Sequence, residues 1–179
     1  MAGVARDFSR ESRERELDDE RRRAAAAGEP YCDRYELGVS WDAGAPCPKL
    51  IEGEQATMLV FYCPISHPDF DGTNPMSVSA SGPTHRDIAI VELLGCTEAT
   101  LGEPNDEGLH EHPLYGRGLE YYAAHEVRNS PRVSDAGNLR HFVFTFHDET
   151  LEFVAIGTLA EVVLTDMRLA LELAVERAR

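Results

Sequence analysis

Apolar and polar positions alternate through DRYELGVSW, residues 33–41, with Tyr35, Leu37, Val39 and Trp41 on one side and Arg34, Glu36, Gly38 and Ser40 on the other. A period of two marks a strand buried on one face. ATMLVFYCPI, residues 56–65, is instead apolar almost throughout, as expected of a central strand covered on both faces. DIAIVELLGC (87–96) and LEYYAAHEV (119–127) read as two more strands, the second being compatible with helix as well.

The fullest pattern is LRHFVFTFHDETLEFVAIG, residues 139–157. With a two-residue turn at Glu149–Thr150, His147 faces Glu152, Phe146 faces Phe153 and Phe144 faces Ala155. Phe142, Phe144, Phe146, Phe153 and Ala155 then share one face, while His141, Val143, Thr145 and His147 share the other with Glu152 and Val154. Adding one residue to the turn would slide Glu152 against Phe146 and spoil both faces. Glu-Thr is nonetheless poor chemistry for a tight hairpin, which favours Gly or Asn.

The two ends carry helical periodicity. RDFSRESRERELDDERRRAAAAG is built from helix formers, is closed by Gly28 and Pro30, and places Asp18–Arg22 and Asp19–Arg23 as supporting pairs. Its sizeable apolar residues are only Val4, Phe8 and Leu17, too few for a buried stripe, so residues 1–28 are expected to form an exposed charged helical arm that docks through Phe8 and Leu17. TLAEVVLTDMRLALELAVERAR (158–179) predicts an amphipathic helix with Leu159, Val163, Met167, Ala170, Leu171 and Ala174 along one stripe. Thr158 and Glu161 have capping-box spacing, although AEVVL could instead prolong the last strand. The expected fold is α+β: a mainly antiparallel sheet or open barrel of about five to six strands, with the C-terminal helix packed on it and the N-terminal arm outside. Residues 29–179 are read as a single domain, long enough to bury a core. Two long Gly/Pro/Asp-rich connections, 66–85 and 102–118, interrupt it, and connections of that length are often functional.

Charge changes this picture. Residues 1–28 hold seven arginines and seven carboxylates, which cancel, so the formal charge of −15 sits on the remaining body. An acidic body repels phosphate backbones and anionic lipid, which excludes nucleic acid and membrane surfaces as expected partners and leaves a small-molecule ligand or a basic protein. No run approaches the roughly 20 apolar residues of a membrane helix. Arg6, Asp7 and Arg10 stand where a signal peptide would be apolar, so a cytoplasmic protein is expected. The four cysteines (32, 47, 63 and 96) form no C-x-x-C pair and are expected to be reduced and mostly buried. Lys49 is the sole lysine, a bias expected of a GC-rich bacterial genome.

Candidate chemistry concentrates in NDEGLHEHPLYGRGLEYYAAHE, residues 105–126. His110-Glu-His112 has the spacing that would aim two imidazoles from one side of an extended segment at a metal. Pro113 argues against a regular strand there, and PLYG occupies the place where a third, carboxylate ligand would be wanted. DFDGTN (69–74) lacks the closing glutamate of a calcium loop and reads as a turn. No cofactor and no metal are therefore expected. A metal-free acid–base site is the stronger reading: His147 with Glu152, whose carboxylate would fix the imidazole tautomer, and His141 and His125 nearby. Arg117, Tyr115, Tyr121 and Thr145 would bind substrate, whereas Asn129 and Ser130 read only as turn residues. Two functions of different class follow: a small-metabolite enzyme working at the sheet face, or a non-catalytic interaction protein, of immunity, antitoxin-like or accessory type, that offers its acidic surface to a basic partner.

Overall fold

A computed structural model describes residues 3–42, 44–64, 86–134 and 137–179, with side chains from residue 11 onward. The connection 66–85, the DFDGTN turn and the Phe8 side chain lie outside the described residues. In chain order the elements are α1 (Gly3–Ala27), β1 (Tyr31–Arg34), β2 (Lys49–Glu52), β3 (Thr57–Tyr62), β4 (Arg86–Leu94), β5 (Glu98–Gly102), a single 3-10 turn (Leu109–Glu111), β6 (Ala124–Arg128), β7 (Arg140–Thr145), β8 (Thr150–Ala155), β9 (Gly157–Thr165) and α2 (Met167–Ala178). The fold is α+β with antiparallel pairing throughout, but the described strands divide into two sheets rather than one: β1-β6-β7-β8-β5 and β2-β3-β4-β9.

The sheets stack face to face. Phe142, Phe144, Leu151, Phe153 and Ala155 of the five-stranded sheet meet Leu59, Phe61, Ala89, Val91 and Leu93 of the four-stranded one. The far side of the four-stranded sheet, with Met58, Val60, Ile88 and Ile90, is covered by Ala170, Ala174 and Ala178 of α2. Because β3 is covered on both faces, its apolar run has no alternation. The far side of the five-stranded sheet is capped by the 103–122 loop, which drives Leu109, Leu114 and Leu119 onto Cys32, Val127 and Val143. Against this cap lies α1, whose side chains from residue 11 onward are mostly exposed and which is anchored by one stripe, Leu17, Glu20 and Ala24. Glu20 accepts the Gly118 N–H at 3.0 Å, and Arg21 reaches Glu120 at 2.7 Å and the Cys32 carbonyl at 2.9 Å.

Three local expectations change. The alternating stretch after Tyr31 is ladder-paired only to Arg34, yet Leu37 and Trp41 are still buried and Tyr35 and Val39 still pack on the core. Period-two burial needs only an extended chain lying along a core edge, and here it crosses from one sheet to the other: Tyr35 N–H bonds to Ala124 and Asp42 N–H to Tyr62. Next, residues 157–165 form β9, paired with β4 along its whole length, so the Thr158 capping box does not form. The helix starts instead at Asp166, whose carboxylate accepts the Leu169 N–H at 2.9 Å. Replacing this cap, Asp166→Ala, is expected to cost about 1 kcal/mol, read as a lower melting temperature that Asp166→Ser restores.

The third change is the register of the β7–β8 hairpin. Val143, not His147, stands opposite Glu152, and Phe142 opposite Phe153. The Phe146 N–H bonds to the Glu149 carbonyl at 2.9 Å, so the turn is His147–Asp148 rather than Glu149–Thr150. Asp is a common turn former, and the two β-branched threonines at 145 and 150 close the ladder. The slide is by four residues, an even number, so every side chain keeps its expected face and only the partners change.

Candidate functional site

The outer face of β7 and β8 holds His141, Glu152 and their neighbours. His141 Nε2 lies 2.8 Å from Glu152 Oε1, and its Nδ1 lies 2.8 Å from Ser130 Oγ. With the proton on Nε2 toward the carboxylate, Nδ1 of the neutral ring accepts from the Ser130 hydroxyl. Arg132 closes the network: its guanidinium reaches Glu152 at 2.8 Å and Glu98 at 2.9 Å, and its backbone N–H donates to Ser130 Oγ at 3.1 Å. The His141 hydrogen bond, followed by Arg132, holds the Glu152 carboxyl down to about 2, so it is a fixed anion at neutral pH. His141 is buried, whereas the Glu152 side chain stays 31% exposed and lines a cleft of about 370 Å³.

Thr100, Glu103, Glu111, His112 and Thr150 line that cleft with Glu152. Burial lowers the His112 pKa, and its Nδ1 accepts the Leu114 N–H at 3.2 Å. The neutral ring therefore carries its proton on Nε2 and offers a donor. A larger recess of about 610 Å³ opens at the mouth of the sandwich beside Tyr35, Trp41, Cys63 and Asp87, and no imidazole lines it among the described residues.

His147 belongs to a second cluster, at the hairpin tip. Its Nδ1 donates to Asp106 at 2.8 Å rather than to Glu152, and the Tyr122 hydroxyl donates to the same carboxylate oxygen at 2.6 Å. Asp106 pushes the Tyr122 phenol up to about 12, and the hydrogen bond from Tyr122, then that from His147, lowers the Asp106 pKa. This cluster ties the 103–122 loop to the hairpin.

The other expected site residues scatter. His125 is fully buried: Nδ1 donates to the Val143 carbonyl, Nε2 accepts the Glu120 N–H, and burial pushes its pKa down to about 4. Both nitrogens are committed inside the sheet, so it has no face to offer a substrate. Thr145 is buried as well, donating to the Glu120 carbonyl and accepting the Ala123 N–H. Arg117 pairs with Glu29 at 3.3 Å, while Tyr115 and Tyr121 lie exposed on the loop. His110 is also exposed and donates to the Glu107 carbonyl from the 3-10 turn, which replaces the extended segment that H-x-H chelation requires. Among the described residues no group of three or more metal-ligating side chains forms.

His112, one of the loop histidines expected near the site, does line the cleft with Glu152. Ser130, Arg132 and Glu98 were not expected there; they come from the chain after β6 and from β5, and only the order β6-β7-β8-β5 brings them beside His141 and Glu152. No local pattern in the sequence signals that order.

Fold and site define an antiparallel two-sheet α+β sandwich flanked by helices, with a Ser–His–Glu–Arg hydrogen-bond chain on one outer face. Compared with protein-family models, curated proteins and solved structures, the chain has no significant match. Among the described residues no helix is long and apolar enough to cross a membrane.

Proposed function

We propose that this protein is a small-metabolite enzyme whose acid–base group is His141, held by Glu152, on the outer face of the five-stranded sheet. One observation carries the reading: the Ser130–His141–Glu152 chain ends on a carboxylate that opens into a cleft. Glu152 fixes the imidazole tautomer, with Nε2–H toward its carboxylate, and leaves Nδ1 as the basic nitrogen facing the Ser130 hydroxyl. The cleft is lined by Glu103, Glu111 and Glu152 together with His112. That lining suits a small substrate with a cationic or N–H donor group beside a hydrogen-bond acceptor.

The test is a protein-observed NMR titration of the histidine ring signals with small amines against small carboxylates. Amines are expected to bind and to move the His112 and His141 ring signals. Glu152→Gln, which keeps the hydrogen-bonding shape and removes the charge, is expected to weaken them by roughly 10- to 100-fold, the worth of one charge-assisted contact. Preferential binding of carboxylates, or equal binding by Glu152→Gln, would refute the reading. The charge of −15 supports a second reading, a non-catalytic protein that offers its acidic body to a basic partner. Under that reading the NMR titration finds no amine binding.

A further inference from the structure

After β1 the chain crosses from one sheet to the other, anchored by the Tyr35 N–H on Ala124 and the Asp42 N–H on Tyr62. Between those anchors, residues 36–41 make no backbone hydrogen bond among the described residues. The recess of about 610 Å³ runs along this crossing and is also lined by Ala124 of β6, Asp87 of β4 and Val162 of β9. Both sheets therefore contribute to it, and its volume is that of a small-molecule site. It shares no lining residue with the cleft at Glu152.

Trp41, the sole tryptophan, lines this recess and is only 7% exposed. Three phenyl rings hold it in place: Phe146 at 4.6 Å between ring centroids, Phe61 at 5.6 Å and edge-on, and Phe144 at 6.0 Å. A buried indole N–H usually has an acceptor. That of Trp41 has none among the described residues. Leu37, Val39 and Val162 make the lining largely aliphatic. Burial pushes the Cys63 thiol up to about 11, so it stays uncharged at neutral pH and adds to the apolar wall. Charge around the recess is mixed, with Arg34 against Glu36 and Asp87. An anion would meet the indole N–H but face the two carboxylates, and a cation would suit the carboxylates but leave the N–H unmet. A neutral acceptor does neither.

We propose that this recess is a second ligand site, separate from the His141–Glu152 cleft, and that it takes a small neutral aromatic molecule carrying a carbonyl acceptor, such as an aromatic amide. The ring lies among Leu37, Val39 and Val162, and the carbonyl accepts the Trp41 N–H. The unpaired peptide groups of residues 36–41 supply an acceptor for the amide N–H. Such a ligand gains from apolar burial while it satisfies a donor that otherwise stays buried without a partner.

A sole tryptophan gives a single indole N–H resonance, so the experiment is a nitrogen–proton correlation NMR titration of the full chain with benzamide, benzoate and benzylammonium. Benzamide is expected to move that resonance downfield and saturably, with the Ala124 amide moving in step, and to bind more tightly than either ion. Trp41→Phe keeps an aromatic wall and removes the donor. Followed at the Ala124 amide, benzamide is expected to bind it roughly tenfold more weakly, the worth of one hydrogen bond to a buried group. Val162→Phe, at an exposed position of β9, narrows the recess and is expected to weaken benzamide as well. Glu152→Gln, in the outer cleft, is expected to bind benzamide as the wild type does. An indole resonance that stays in place overturns the proposal, as does tighter binding of either ion. So does benzamide affinity that is unchanged in Trp41→Phe or in Val162→Phe, or that is lost in Glu152→Gln.

Discussion

Lowering the pH from 7 to 4 is expected to remove about 3 kcal/mol of folding stability through His125 alone. The ring is fully buried, with Nδ1–H on the Val143 carbonyl and Nε2 under the Glu120 N–H. Accepting at Nε2 requires the neutral ring, and burial brings the pKa from an ordinary 6.5 down to about 4. In the unfolded chain the same imidazole binds a proton below about 6.5, so between these two values the unfolded state binds more protons than the folded one. Stability from His125 is therefore complete above pH 6.5 and declines as the pH falls toward 4. One pKa unit is worth about 1.4 kcal/mol, which gives about 3 kcal/mol over the window. Glu152, held down to about 2, adds a second loss of the same sign below about pH 4.5. Urea midpoints measured from pH 7 to 4 check this. The wild type should lose stability steeply over the window, whereas His125→Gln, less stable at pH 7, should give a distinctly flatter curve. A variant with the wild-type slope would assign the proton uptake elsewhere.

Phe153→Ala is expected to cost about 3–5 kcal/mol, the range for truncating a buried phenyl ring. Phe153 is fully buried, stacks on Phe142 at 4.8 Å and 16°, and meets Phe144 edge-on at 5.0 Å and 90°. Those rings fill the space between the sheets, so the truncation leaves a void with rigid walls on both sides. Domains of this size are stable by about 5–15 kcal/mol, and the loss is a large part of that. Equilibrium urea unfolding should show a lower midpoint with an unchanged slope. A shift under 1 kcal/mol would mean that Phe153 does not stand in the shared core.

The Phe142–Phe153 contact also shows how far sequence reading reaches. The phenyl face was legible because burial on one side of a strand leaves a period of two, whichever residues pair across the ladder. The ladder partner was not legible: the expected hairpin placed Phe146 opposite Phe153, and the observed one places Phe142 there. Moving a strand by four residues leaves its hydrophobic pattern untouched, so the pattern cannot choose between the two registers. The choice falls to the turn, where His147–Asp148 is held by Asp106 from a loop some forty residues earlier in the chain. The candidate site follows the same logic. Glu152 and an imidazole were expected together on the outer face; the slide replaced His147 with His141 and left His147 at the hairpin tip.

What the amino-acid order settled by itself is local: which faces are apolar, that both ends are helical, that the pairing is antiparallel, and that the body carries the negative charge. These depend on neighbours a few residues apart, through pleat, helical pitch and composition. What only the tertiary structure decided is which strands lie side by side. It divided the strands between two sheets, turned the AEVVL segment into the long edge strand β9, sealed His125 inside, and gathered Ser130, Arg132 and Glu98 around His141 and Glu152. Such choices rest on contacts between segments far apart in the chain, where core packing and loop closure act together and no short stretch of residues carries the outcome.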